Sequence, residues 1–378
     1  MSGLIPVDRL YSIGVVVNDL STAAAHYAEI FGIEQWDVRR FDAGRVSAST
    51  VNGRPTQPSF VTATGSTTAS GEGLTMLGNP IGPVTFELIQ PLDGESAFQE
   101  LRFRRRQGVS HLTVSVADAD EYTAIADALA QRGYGIAASL TVDGVVDRHF
   151  VDTRAALGGY LIEIQVPRSA DGAVAGALPA VAVDEHWDLS ATTTRTAGPL
   201  EVSGVNHFGV VVRDLMETLK GYAELLGIDE WNVRDWRTEP GGRGLEGSFY
   251  RGESVEHEYF TAMSTVADFG FEIVQPTFGP SHYNREFGDL YGEGLHHMLL
   301  TITADGQEWD GNQQWLESAD VPLAMGADLF GGAGAFCYYD TFDKLGGYLV
   351  EAVLMKGMPE PQNLAPDYVI DFSTVAAG

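Results

Sequence analysis

Four glutamates stand inside short apolar runs: Glu87 in FELIQ, Glu163 in YLIEIQV, Glu272 in FEIVQ and Glu351 in YLVEAVL. A mid-strand carboxylate that is buried and unpaired costs on the order of several kcal/mol, or takes up a proton instead. Three histidines stand in runs of a similar kind: His111 in SHLTVSV, His207 in NHFGVVV and His297 in HHMLLTI. A fourth run of this type, YSIGVVV, has Ser12 at the equivalent place. Each residue alone has an ordinary reading, a hydrogen-bonded core histidine or a glutamate on an exposed edge. Together they are harder to explain that way, because they recur at matching places. Neutral imidazole and carboxylate suit divalent zinc, iron, cobalt, nickel or manganese. A cation also supplies the charge that lets buried carboxylates stay ionised. These residues are therefore candidate metal ligands.

The matching places come from an internal repeat. YSIGVVVNDLSTAAAHYAEIFGIEQWDV, from Tyr11, aligns with NHFGVVVRDLMETLKGYAELLGIDEWNV, from Asn206. FELIQP from Phe86 aligns with FEIVQP from Phe271, GVSHLTV from Gly108 with GLHHMLL from Gly294, and LGGYLIEIQV from Leu157 with LGGYLVEAVL from Leu345. Blocks kept in order across two halves mean duplication with small loop insertions. The boundary falls between Arg168 and Ser203, a stretch rich in Ala, Gly, Thr and Pro. We divide the chain into residues 1–167, a linker 168–202, residues 203–356 and a tail 357–378.

Each half is itself double. Asp19 and Asp214 sit where helix N-caps belong, and Gly32 and Gly227 where the chain turns out of the helix. Asp214 and Glu217 have capping-box spacing. A further helix is expected near Asp120–Gln131, stopping at Gly133. The runs around them are short and β-branched, as strands are. The expected class is α+β, with four βαβββ modules. Strand alternation puts Glu272 on the face of Val274, opposite Phe271 and Ile273, and turns His296 to the face opposite His297.

The 378 residues carry 52 Asp+Glu against 23 Lys+Arg, a net charge of −29. Such a chain repels nucleic acid and anionic membranes, so neither is expected as a partner. The single cysteine, Cys337, rules out an internal disulfide framework or a thiolate zinc cluster. No apolar run reaches the roughly 18 residues of a membrane span, and the start of the chain does not read as a signal peptide. A cytoplasmic protein, monomeric or homodimeric, is the expectation.

The wording H-x-G-V-V-V-R-D-L from His207, FELIQPLDG from Phe86, GLHH from Gly294 and GGYLVE from Gly346 resembles the vicinal oxygen chelate superfamily, which groups glyoxalases, bleomycin-resistance proteins and extradiol dioxygenases. Among its branches the methylmalonyl-CoA epimerase-like glyoxalases are the most similar. The resemblance implies two cup-shaped open barrels, each built from two modules. It implies one ligand from each opening strand and one Glu from each closing strand. The C-terminal half would then hold a divalent metal with His207, Glu272, His297 and Glu351. The N-terminal half, with Ser12, Glu87, His111 and Glu163, would be impaired. The resemblance implies that modules pair within a half, across halves or across chains; within-half pairing, the expected arrangement, gives one complete site and one impaired site.

The resemblance further implies a metal-dependent isomerase, epimerase or lyase that stabilises an enolate or oxyanion of a small carbonyl substrate. The alternatives are an iron-dependent ring-cleaving or keto-acid dioxygenase and a non-catalytic small-molecule-binding protein. Two His with two Glu favours the first; dioxygenases of this fold resemble a two-His-one-carboxylate set. Glu272 or Glu351 could leave the metal and act as base. His257 and Tyr339 are the other candidate catalytic residues, with His282 as a further acid–base or supporting candidate. Tyr338 and Tyr339 adjoin on one strand, one facing in and one out. Arg102, Arg104, Arg105 and Arg106 form the only tight basic group. They lie in the impaired half, and the overall acidity favours a neutral or hydrophobic carbonyl compound over a coenzyme A thioester; the expected partner is a small carbonyl or aromatic substrate.

Overall fold

The computed structural model describes residues 3–68, 75, 82–168, 181–193, 198–239 and 243–373. Two 11-stranded sheets dominate it, one for each half of the chain. At the centre of the first, four strands run in the order Thr85–Asp93, Leu10–Val16, Gly108–Ser115, Leu161–Pro167. At the centre of the second the order is Phe269–Phe278, His207–Val211, Gly294–Thr303, Leu349–Met355. In each half the two opening strands pair antiparallel with each other, and each closing strand lies parallel to the opening strand of its own module. Modules therefore pair within a half. The eight residues at the ligand positions lie on these central strands.

The strands carry two sets of apolar side chains because both faces are covered. On one face, helices Leu20–Phe31 and Leu215–Leu226 pack their buried sides into a core continuous through both halves, including Val15, Tyr27, Phe86, Phe208, Tyr222 and Phe271. On the other face each sheet encloses its own cluster. Phe41, Phe60, Phe98 and Phe150 belong to the first, and Trp236, Tyr259, Tyr283 and Tyr338 to the second. The caps behave as their residue types require. Asp19 accepts from the Thr22 backbone N–H at 2.8 Å and Asp214 from that of Glu217 at 3.0 Å. Gly32 and Gly227 close their helices in the left-handed region. The third expected helix spans Ala119–Gln131, capped by Asp118. Among the described residues no helix is long and apolar enough to cross a membrane.

Linker and tail are partly built into the sheets. Glu185–Asp188 pairs with Gln35–Phe41 at one sheet edge, and Tyr368–Asp371 pairs with Glu230–Arg237 at the matching edge of the other. The repeat therefore has a further block, EHWD against YVID, that is too divergent to align by eye. Each copy covers an edge strand that would otherwise leave backbone groups unpaired.

The LGGY blocks join the halves. Tyr160 Oη lies 2.9 Å from Tyr222 Oη, and Tyr348 Oη donates to Tyr27 Oη at 3.0 Å. Gly158 and Gly346 have φ of +80° and +89°, and each faces valines of the other half's opening strand, Val210 and Val212 or Val15 and Val17. Gly159, at φ +97°, lies against the Glu293 carbonyl, leaving no room for a Cβ. Gly133 has a similar φ of +83° but faces open space. Gly133→Ala should cost about 1 kcal/mol from backbone strain alone. Gly159→Ala should cost more than about 2 kcal/mol, since a backbone contact must also open. Paired urea denaturation curves measure the difference; equal losses would show that the contact between halves contributes nothing.

Candidate metal centre

The second sheet brings His207, Glu272, His297 and Glu351 together, one ligand atom of each lying within 4.8 Å of all the others. His207 Nε2 is 2.9 Å from Glu351 Oε2 and 3.3 Å from His297 Nε2. His297 Nε2 is 3.1 Å from Glu272 Oε2 and 3.4 Å from Glu351 Oε2, and His207 Nε2 is 3.6 Å from Glu272 Oε2. Four donors about 2.1 Å from a common ion stand about 3.4 Å apart when tetrahedral, so these separations suit a divalent cation. All four residues are buried; Glu272, 9% exposed, is the most open. Burial drives the His207 imidazole toward the neutral form, but Glu351 and then Glu272 outweigh it and hold its pKa above the ordinary value. Glu272 resists burial in the same way through His297 and His207, and its carboxyl is held below the usual range. The donor set, its spacing and its burial fit a metal.

A bulge sets the histidine geometry. In the Gly294–Thr303 strand Leu295 pairs with Val210 and His297 with Gly209, so His296 is the extra residue. Simple alternation turned His296 away from its neighbour. The bulge instead puts His296 Nδ1 3.0 Å from His297 Nδ1, among the rings of Tyr283, Phe287 and Tyr338. His296 Nε2 in turn meets His282 Nδ1 at 2.9 Å, and His282 Nε2 faces Glu286 at 3.8 Å. Burial lowers the pKa of His296 well below its usual value and that of His282 to about 4, so both are neutral near pH 7. Neutral rings permit one consistent arrangement when the lone pair of His297 Nε2 is directed at a cation. His297 then donates to His296 and His296 to His282, whose remaining N–H faces the Glu286 carboxylate at 3.8 Å. Glu286 stays ionised: burial opposes this, but Arg251 and Tyr250 hold its pKa down at about 2. The first sheet repeats the bulge at Ser110, whose hydroxyl lies 2.6 Å from His111 Nδ1.

Gly209 and Gly14 explain the G of the opening strands. A Cβ at either would overlap the ring of His297 or His111. The repeat shows these glycines, but only the register shows that a ligand ring occupies the space.

The other sequence candidates separate. Tyr338, not Tyr339, faces the cup: its ring lies 4.7 Å from that of His297, and its hydroxyl meets Tyr283 Oη at 2.5 Å. Tyr339 faces the core shared by both halves, with Cys337 and Val350. The expectation placed Tyr339 at the site, and the pairing of Tyr338 with Glu351 gives the opposite face. Tyr259 stacks edge-on with Tyr283 at 5.1 Å, which completes a tyrosine group over the centre. Burial raises all three hydroxyls well above their usual pKa, with Glu351 and Glu272 adding to it. They remain protonated donors. His257 is fully buried beside Tyr259; burial lowers its pKa, and the Pro280 backbone opposes this only in part. It does not touch the four ligand residues.

The first sheet assembles Glu87, His111 and Glu163 in the same way, but a cation is already present there. The Arg148 guanidinium bonds Glu87 Oε1 at 3.0 Å and Oε2 at 2.7 Å, and bonds Glu163 through Nη2 at 3.1 Å and through Nε. Burial pushes the Arg148 pKa down, but Glu163 and Glu87 reverse this and raise it. Glu163 is raised by burial but lowered further by Arg148 and His111, ending below the usual carboxylate range. The sequence reading missed Arg148. Its repeat equivalent is Phe336, and an arginine two residues before a buried Phe150 was the available signal. The side chain of Ser12 borders this cluster and adds no charge.

Residues 12–151 match the family model described as Glyoxalase/Bleomycin resistance protein/Dioxygenase superfamily. No curated protein matches the sequence. Among solved structures the chain is similar to a variant of 4-hydroxymandelate synthase from Streptomyces coelicolor, at 14% identity and TM-score 0.49 with 93% of each chain covered. It is also similar to a Mn(II)-bound glyoxalase from Novosphingobium aromaticivorans, at 12% identity and TM-score 0.43 with 93% of this chain and 83% of that one covered. A 2,3-dioxygenase from Pseudomonas sp. KL28 is similar at 14% identity and TM-score 0.40, with 96% of each chain covered.

Two outcomes follow for the arginine-filled centre. Arg148→Ala leaves two buried carboxylates unpaired and should cost about 3–5 kcal/mol. Added Mn²⁺ or Zn²⁺ should raise the melting temperature of that variant more than that of the parent, as read by thermal melts with and without metal. Glu163 has a folded pKa below its unfolded value. It therefore contributes stability above about pH 4.3, and this is lost as pH falls toward the folded pKa. Glu163→Gln should flatten the acid side of the stability curve, measured by denaturation at stepped pH.

Proposed function

We propose that this chain, a member of the glyoxalase/bleomycin-resistance/dioxygenase (vicinal oxygen chelate) superfamily, is a metal-dependent isomerase or lyase that moves a proton next to the carbonyl of a small substrate. The observation that carries this reading is the convergence of two imidazole Nε2 atoms and two carboxylates, one from each of four adjacent strands. A divalent cation held by His207, Glu272, His297 and Glu351 supplies a Lewis acid that stabilises negative charge on a substrate oxygen.

The remaining roles fall to the chain. Glu272 is the least enclosed carboxylate, and it is the group we assign to take and return the proton. Tyr338, Tyr283 and Tyr259 stay protonated and present hydroxyls over the centre, where they orient a substrate oxygen and exclude water. His257, kept neutral by its burial, is a further acid–base candidate at the edge of this group. Tyr339 has no role in this reading. The His296–His282–Glu286 chain holds the His297 ring in place.

The fourth donor, Glu272, separates this reading from a dioxygenase, whose expected set is two His and one carboxylate. His297→Ala should remove both bound metal and turnover. Glu272→Gln should retain most of the metal and lose turnover by about 10²-fold or more. Metal analysis and a proton-exchange assay in deuterated water, followed by NMR over a panel of small carbonyl compounds, measure both. Oxygen consumption that matches substrate loss would replace this reading with the dioxygenase one.

A further inference from the structure

The chain is strongly acidic, yet four of its arginines border one cavity that the metal chemistry does not use. Helix Ala97–Arg105 ends in a basic run. Positive side chains at a helix C-terminus are ordinary, since they meet the negative end of the dipole. Arg102, in the last turn, stays within its own half and donates to the Pro91 carbonyl of the strand Thr85–Asp93 at 2.9 Å. Arg105 does not. It reaches into the other half, donates to the Glu293 carbonyl and lies 5.7 Å over the Phe287 ring. Among the described residues it forms no ion pair with a carboxylate. Partial burial and the neighbouring Arg104 push its pKa down to about 10, with Glu293 opposing only in part. A guanidinium in that position is stabilised by an anion.

Beside it lies a cavity of about 390 Å³ between the two halves, bordered by Arg104, Arg105, Arg154 and Arg213. Two acids also border it. Glu100 is already engaged by Arg154 at 2.8 Å and by Arg104 at 3.5 Å, and Glu293 accepts from the Arg213 backbone N–H at 2.8 Å. The Arg213 side chain makes no ion pair among the described residues. Arg154 is also held by Asp152 through two hydrogen bonds of 2.8 Å, so its charge is spent. The Arg105 and Arg213 guanidiniums keep the cavity locally positive within a chain of charge −29. Its size is that of a small-molecule site. Guanidinium forks approaching from both halves suit a tetrahedral oxyanion with several acceptor oxygens.

We propose that the cavity between the halves binds the phosphate group of a phosphorylated small molecule, with Arg105 and Arg213 as its main contacts. This site is separate from the metal centre, so a ligand here would bridge the halves rather than react. It does not depend on the isomerase reading.

The test titrates inorganic phosphate into the purified full chain by calorimetry, with malonate as a carboxylate comparison and Arg9→Gln as a control arginine elsewhere. Saturable phosphate binding is expected, unchanged in Arg9→Gln and weakened at least tenfold in Arg105→Met. Should Arg105→Met fail to fold, the exposed pair Arg104→Gln with Arg213→Gln carries the test, and at least a fivefold loss is expected. Binding should persist in His297→Ala; its loss there would locate the anion at the metal centre and overturn the proposal. No saturable binding, equal affinity in the arginine variants, or malonate bound more tightly than phosphate would also overturn it.

Discussion

Compensation of buried carboxylate charge is the constraint on which the rest of the structure depends. Each sheet carries two glutamates into its interior on closing strands, and neither pair is tolerable without a cation. The two halves meet the same demand differently. In the first, the covalently tethered guanidinium of Arg148 lies between Glu87 and Glu163. In the second, Phe336 stands where that arginine would be, and two imidazoles face the carboxylates. The N-terminal centre is thus closed by its own chain, while the C-terminal one is suited to an exogenous ion. One duplicated scaffold gives a self-neutralised half and a half fit for chemistry.

The surrounding features serve that geometry. Bulges at Ser110 and His296 turn an extra side chain onto the back of each ligand-type histidine. Glycines 14 and 209 clear space for the rings. On the C-terminal side the bulge residue begins a run of imidazoles that ends on Glu286, a carboxylate fixed by Arg251 and Tyr250. Supports of this kind set ring orientation, and with it the direction of the coordinating lone pair. The tyrosines above the centre keep their protons because they are buried, so they offer donors but no competing charge.

The LGGY repeats show how a motif can mislead. They adjoin the glutamate strands, so their recurrence looks like part of the ligand pattern. Their glycines instead pack against the opening strand of the opposite half, and their tyrosines bond across the junction. The junction also gathers arginines that a linear reading assigned to the impaired half alone. Arg104 and Arg105 come from one half and Arg213 from the other.

The sequence by itself determined the duplication, the four modules, the caps and the recurrence of Glu87, Glu163, Glu272 and Glu351 with their histidines. All of these are written as local patterns of period, charge and residue type. What it left undecided depended on register. Alternation gave the face of Glu272 but not that of His296, because a bulge adds one residue and reverses the count. It could not choose Tyr338 over Tyr339, since adjacent strand residues differ only in which face the pairing assigns them. It showed Arg148 as one charged residue among many, because a guanidinium neutralises distant carboxylates only after four strands bring them together. Short edge strands such as Glu185–Asp188 escaped for a related reason: their pairing depends on a distant partner rather than on their own pattern. Local chemistry is legible along the chain, whereas convergence is a property of the pairing that tertiary structure alone supplies.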